Sequence, residues 1–181
     1  MSRVKIGAIP VFSFFVACAA FLLCTSAHAV SINWYTSTTN GYLQSSPGVR
    51  IPGSADSSVG GFLQLVYLGV NGTYDVGDTV VDTSWVGFGV TVMAPYLTID
   101  GRFSDTYTVD TNAYASGSTF AMVFYEQPSP NYGLGTPPSS GEYGVFGTVA
   151  TPYVTGTESY DLAVTSPQTA TLPVPEPGTA A

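Results

Sequence analysis

The sequence predicts an all-β fold, an antiparallel β-sandwich or barrel-like single domain of roughly seven to nine strands. Three observations predict it. Short apolar or alternating runs recur at residues 32–36, 62–68, 80–92, 102–110, 120–125, 144–149 and 160–164. Turn signals such as Asn71-Gly72, Ser116-Gly117 and Ser139-Ser140-Gly141 lie between them, and Asn-Gly in particular tolerates the positive φ of a tight turn. No stretch after residue 29 carries an uninterrupted apolar period of 3.6, the mark of an amphipathic helix.

Each element has its own reason. Ile32-Asn33-Trp34-Tyr35-Thr36 carries strand-favouring side chains and opens the domain. Phe62-Leu63-Gln64-Leu65-Val66-Tyr67-Leu68 is almost continuously apolar, as a strand covered on both faces requires. Residues 80–92 read as one long strand or two short ones, bent where Gly87 and Gly89 flank Phe88. In 102–110, Phe103, Asp105, Tyr107 and Val109 share one face, with Arg102, Ser104, Thr106 and Thr108 on the other. Phe120-Ala121-Met122-Val123-Phe124-Tyr125 forms another core strand. Residues 128–141, rich in Pro, Gly and Ser, read as an irregular surface loop. From Ser166 onward the prolines predict an extended linker held away from the domain.

The first 29 residues have the pattern of a secretory signal peptide. Arg3 and Lys5 make a basic start, an apolar stretch covers 6–24, and Ala27-His28-Ala29 supplies the small-x-small site, with cleavage expected after Ala29. The organisation is therefore a signal peptide at 1–29, one β-domain at 30–165 and a Pro-rich tail at 166–181.

Removing residues 1–29 takes away Cys18, Cys24, His28 and Lys5, which are all the Cys, His and Lys in the chain. What remains has Arg50 and Arg102 against twelve carboxylates. That composition excludes a Ser-His-Asp or Cys-His nucleophile, a Cys/His zinc site, a lysine Schiff base and a structural disulfide. Nucleic acid is excluded as a partner too, because gripping a phosphate backbone needs clustered Lys and Arg. No cofactor and no catalysis are expected.

Three groups of residues are candidates for chemistry. Asp75, Asp78 and Asp82, with a second scatter at Asp100, Asp105 and Asp110, have the hard oxygens that calcium takes. They lack EF-hand order, and capping of turns is the favoured role, so no metal site is assigned. Glu126, Glu142 and Glu158, together with the aspartates, contain no pair whose spacing marks a glycosidase. Trp34, Tyr35, Trp85, Tyr96, Tyr132 and Tyr143 have faces that stack on sugar rings, although packing is the commoner fate of aromatics. Trp34 and Trp85 are expected in the core, and Tyr132 is expected to be exposed on its loop.

The chain closes with Val174-Pro175-Glu176-Pro177-Gly178-Thr179-Ala180-Ala181. Two prolines keep Glu176 in an extended segment without regular hydrogen bonds. This run resembles the opening of a PEP-CTERM sorting signal, which marks exported proteins of biofilm-forming Gram-negative bacteria for an exosortase. In that family an apolar membrane helix and an Arg cluster follow; neither appears before Ala181, so the expectation is either a signal truncated here or a degenerate one that lets the protein escape. The resemblance implies Val174, Pro175, Glu176 and Pro177 as the sorting motif, and signal peptidase and an exosortase-type enzyme as processing partners. The expected protein is exported to the cell surface or extracellular matrix, with a structural or adhesive role. The alternative is a module that binds exopolysaccharide.

Overall fold

The computed structural model describes residues 29–37, 39–90 and 99–175. The expected signal peptide apart from Ala29, Tyr96, the end of the 80–92 run, Glu176 and Pro177 lie outside the described residues. The chain forms β1 (Val30–Thr36), β2 (Leu43–Ser46), β3 (Val49–Arg50), β4 (Phe62–Tyr67), β5 (Thr79–Trp85), β6 (Ser104–Val109) and β7 (Thr119–Tyr125). After a single 3-10 turn at Tyr132–Leu134 come β8 (Glu142–Ala150), β9 (Ser159–Val164), β10 (Gln168–Thr169) and β11 (Leu172–Pro173).

The strands make three sheets, ordered β6-β1-β9, β10-β2-β3 and β11-β8-β7-β4-β5, and none of them closes into a barrel. The all-β class holds, and so do the strands read from alternation and from the apolar runs. Two pairings depart from the antiparallel expectation: β1 runs parallel to β9, and β2 parallel to β10. A parallel partner must come from a long crossover rather than a hairpin, so no local turn signal announces it.

The tail corrects a second expectation. Residues from Ser166 do not run away from the domain. Gln168–Thr169 pairs with β2, Ala170 is fully buried, and Leu172–Pro173 pairs with the edge of β8. The unpaired rim of a sheet is a ready template for one more strand, and the tail fills it despite its prolines.

The β6-β1-β9 sheet and the five-stranded sheet face each other across one core. Val30, Ile32 and Trp34 of β1 point inward at every second position and meet Leu63, Leu65, Phe120, Met122 and Phe124. Trp34 meets Phe103 edge to face, with ring centroids 5.3 Å apart. Burying a side chain of this size contributes about 2–3 kcal/mol. Close packing also needs Gly144: a Cβ there would stand 2.3 Å from the Phe124 ring. The outer face of the β1 sheet is polar, with Asn33 donating to Asp161 at 3.0 Å and Thr106 donating to Asn33 at 3.1 Å.

The five-stranded sheet is covered on its other side as well. Phe62, Val66, Ala121, Val123 and Tyr125 form a second apolar cluster there. This is why residues 62–67 carry almost no polar side chain.

Candidate functional site

Two places bring polar chemistry to an otherwise apolar body: a cleft on the outer face of the five-stranded sheet, and a carboxyl pair between the sheets.

The cleft is built around Gln64, the one polar residue of β4 with a buried side chain. By alternation Gln64 projects on the outer face with Phe62 and Val66. Its Nε2 donates to the carbonyl of Gly135 at 2.9 Å, and Tyr125 donates its hydroxyl to Oε1 at 3.0 Å. These bonds hold the 128–141 loop down onto the sheet. Tyr132 pins the same loop from its other side by donating to the Thr83 carbonyl at 2.7 Å. Gly135 ends the 3-10 turn at φ +64, a left-handed conformation that suits glycine.

Between this loop, the 69–78 loop and the chain end lies a cleft of about 530 Å³, lined by Gln64, Val66, Tyr74, Tyr125, Pro137 and Val174 among others. That volume is in the range of small-ligand sites. Burial pushes the Tyr125 hydroxyl far above the ordinary tyrosine range, and burial likewise raises Tyr74. Both stay neutral donors at any physiological pH.

Aromatic rings extend from the cleft across the sheet. Tyr125 stacks between Phe62 and Tyr143, each 5.7 Å away. Tyr132 meets Trp85 edge to face at 5.0 Å. Of the aromatics weighed for sugar stacking, Trp34 is fully buried and Trp85 donates its Nε1 to the Ser54 carbonyl at 3.0 Å. Trp85 is only partly buried, short of the full core position expected of it. Tyr132 is half-buried and not the exposed loop residue expected, because Thr83 and Trp85 take it up. Tyr35 and Tyr143 are half-buried, and Tyr96 lies outside the described residues. Tyr74, which sequence reasoning passed over, lines the cleft; a lone tyrosine in a turn-rich loop carries no signal that could have found it.

The carboxyl pair follows from strand register. Asp105 of β6 lies opposite Trp34, and Asp82 of β5 lies opposite Leu65. Trp34 and Leu65 both belong to the inner core, so both aspartates project between the sheets. The register of β4 against β5 slips next to Asp82, leaving Val81 as the extra residue of a bulge. Asp82 accepts from the Thr83 amide at 2.9 Å and Asp105 from the Thr106 amide at 2.8 Å. Burial pushes Asp82 up to about 6, with the neighbouring Asp105 charge adding to the rise; the Thr83 amide and the Trp34 indole work against it. Burial raises Asp105 as well, opposed by the Thr106 amide and the Ser84 hydroxyl. Trp34 Nε1 and Ser84 Oγ are buried and make no hydrogen bond of good geometry, although both are near enough to act on these carboxyls.

The remaining acidic candidates accept backbone amides, some within turns and some from distant chain. Asp78 accepts from the Asp75 amide at 2.9 Å, and Asp100 accepts from the Gly53 amide at 2.9 Å. Asp110 accepts from the Asn112 amide at 3.0 Å. Glu158 accepts from the amides of Val154 and Thr155 at 3.0 and 2.9 Å, and these bonds hold its carboxyl down at about 2. Glu126 accepts from the Glu142 amide at 3.1 Å across the end of the β7–β8 pair. Among the described residues, no group of three or more acidic side chains is placed to hold a metal ion.

At the expected processing sites, Ala29 is exposed and Val30, the first residue of β1, is fully buried; Ala27 lies outside the described residues. Val174 packs against the outer cluster and donates its amide to Gly141 at 3.0 Å, while Pro175 lies on the cleft rim. A scan against protein-family models finds no match for this chain, and searches of curated proteins and of solved structures find none either.

Proposed function

We propose that this protein is an exported cell-surface or matrix protein with a structural or adhesive role, processed at both ends and without catalysis. One observation carries the proposal: among the described residues the first strand begins at Val30, directly after the expected cleavage point, with Val30 buried at the sheet and Ala29 exposed. At the other end Val174, the first residue of the expected sorting motif, packs against the outer apolar cluster. Sequencing the N-terminus of the secreted protein tests the reading. Val30 is the expected first residue; a retained Met1, or cleavage inside β1, would refute it. Replacing Glu176 by Ala in the native host and fractionating the cells tests the other end, with loss of surface material expected.

A second reading keeps the same localisation and makes the domain a module for exopolysaccharide. The cleft favours it, because tyrosine faces, the Gln64 amide and neutral hydroxyls are the groups that stack on and hydrogen-bond a sugar ring. Retention on the organism's own exopolysaccharide, lost in Tyr74→Ala with the fold intact, is its expected outcome. Equal retention of both proteins would remove it.

A further inference from the structure

We propose that Asp82 and Asp105 form a site for calcium between the two facing sheets, at the open side bordered by β5 and β6. The two scatters of aspartates in the sequence form no group of their own, yet the fold takes one member from each and turns both inward. Register does this, as Asp105 follows Trp34 and Asp82 follows Leu65 to the core side.

Two anionic groups that face each other in a partly dry space repel, and a space of low dielectric amplifies the repulsion. A cation would offset it, and among the described residues no basic side chain acts on either carboxyl. No Lys or His occurs after Val30, and Arg50 lies over the Tyr42 ring at 4.5 Å.

The second observation is Ser84. It is inward by the same register, opposite Leu63, with no exposed surface, and its Oγ makes no hydrogen bond of good geometry while lying by Asp105. Burying a hydroxyl unsatisfied is costly, and a cation held by Asp105 gives that oxygen a partner. Trp34 Nε1–H, also buried without a well-formed bond, is beside Asp82 and takes the outer position, donating to a carboxylate oxygen turned from the metal. Tyr107 and Tyr132 complete the electrostatic surroundings and remain neutral, both raised above the ordinary tyrosine range chiefly by burial. A polar opening of about 350 Å³ at the β5 edge, lined by Asp82, Thr83 and Gly133 among others, brings solvent to the Asp82 side of the site. Two carboxylates, one hydroxyl and waters make a weak, hard-oxygen site, in the ~0.1–1 mM range of extracellular calcium modules.

The test uses the full chain, stripped with EDTA at pH 7.5 and melted with and without about 5 mM calcium, above the expected dissociation constant. The melting temperature should rise by roughly 3–6 °C with calcium, and neither Asp82→Asn nor Asp105→Asn should respond. Terbium gives a readout that does not depend on melting. Bound at the calcium position, it lies near the Trp34 indole and should luminesce on excitation of tryptophan; calcium should displace it, and Asp105→Asn should abolish the signal. Equal melting with calcium and with EDTA would overturn the proposal and leave a carboxyl pair that shares a proton. A calcium response that survives in the Asp82→Asn/Asp105→Asn double variant would overturn it too.

Discussion

Replacing Asp82 by Asn, with calcium removed by EDTA, tests the electrostatics of the inter-sheet space. In the folded protein Asp82 titrates at about 6, against an ordinary value of 3.8. A raised carboxyl binds its proton more tightly in the folded state than in the unfolded chain. Between these two pH values the folded state therefore holds a proton that the unfolded state has released. Stability falls as pH rises through that window, and it is flat above it. At about 1.36 kcal/mol per pH unit the full effect is near 3 kcal/mol. Asp82 is only half-buried, so solvent screening reduces this to about 1–1.5 kcal/mol. The Asn side chain keeps the acceptor for the Thr83 amide and loses the charge. Urea denaturation at several pH values should show Asp82→Asn more stable than wild type by about 1–1.5 kcal/mol at pH 7.5 and equal to it near pH 3.5. Subtracting the two proteins removes every titrating group that does not face Asp82; Asp105 does face it and moves with it. A variant less stable than wild type at pH 7.5, or a difference that does not change with pH, would refute the reasoning.

Glu158 has the opposite sign: its carboxyl is held down at about 2 from 4.5, so the stability it contributes is present above pH 4.5 and fades as pH falls toward 2. Thermal melts of Glu158→Gln should lie below wild type at pH 7 and meet it near pH 2. Gly144→Ala should destabilise by about 1–3 kcal/mol in chemical denaturation, because its Cβ would stand 2.3 Å from the Phe124 ring in a filled core. Gln64→Leu strands the Tyr125 hydroxyl and releases the Gly135 carbonyl. A loss of about 1–3 kcal/mol is expected, with faster proteolysis inside residues 128–141 as the local readout.

Much of the fold is legible in single stretches of chain. The alternation of β1 and β6 and the continuous apolar runs of β4 and β7 report burial on one face or on two, and burial is a property that a local pattern can record. Four short strands leave no such record. Leu43–Ser46, Val49–Arg50, Gln168–Thr169 and Leu172–Pro173 are too brief or too polar to mark themselves. Val49–Arg50 pairs with β2 across a two-residue turn. Gln168–Thr169 and Leu172–Pro173 exist because distant backbone offers hydrogen bonds to them, which is why the tail reads as a linker in sequence. The inward carboxyl pair is legible in the sequence only as an unordered set of aspartates. Ser84 carried no signal at all, whereas Gln64 did, as the lone polar side chain within an apolar run.

The all-β class, the position of the main strands, and the absence of Cys, His and Lys chemistry after Val30 can be read from the chain alone. These follow from residue types and short-range periodicity, which need no knowledge of partners. Long-range pairing sets β1 beside a parallel neighbour, lays residues 168–173 along sheet edges, and turns Asp82 and Asp105 to the core side. Each of those facts is a matter of register between strands far apart in the chain. A one-residue slip turns every side chain to the opposite face, so what a carboxylate meets is settled by pairing and not by its neighbours in sequence.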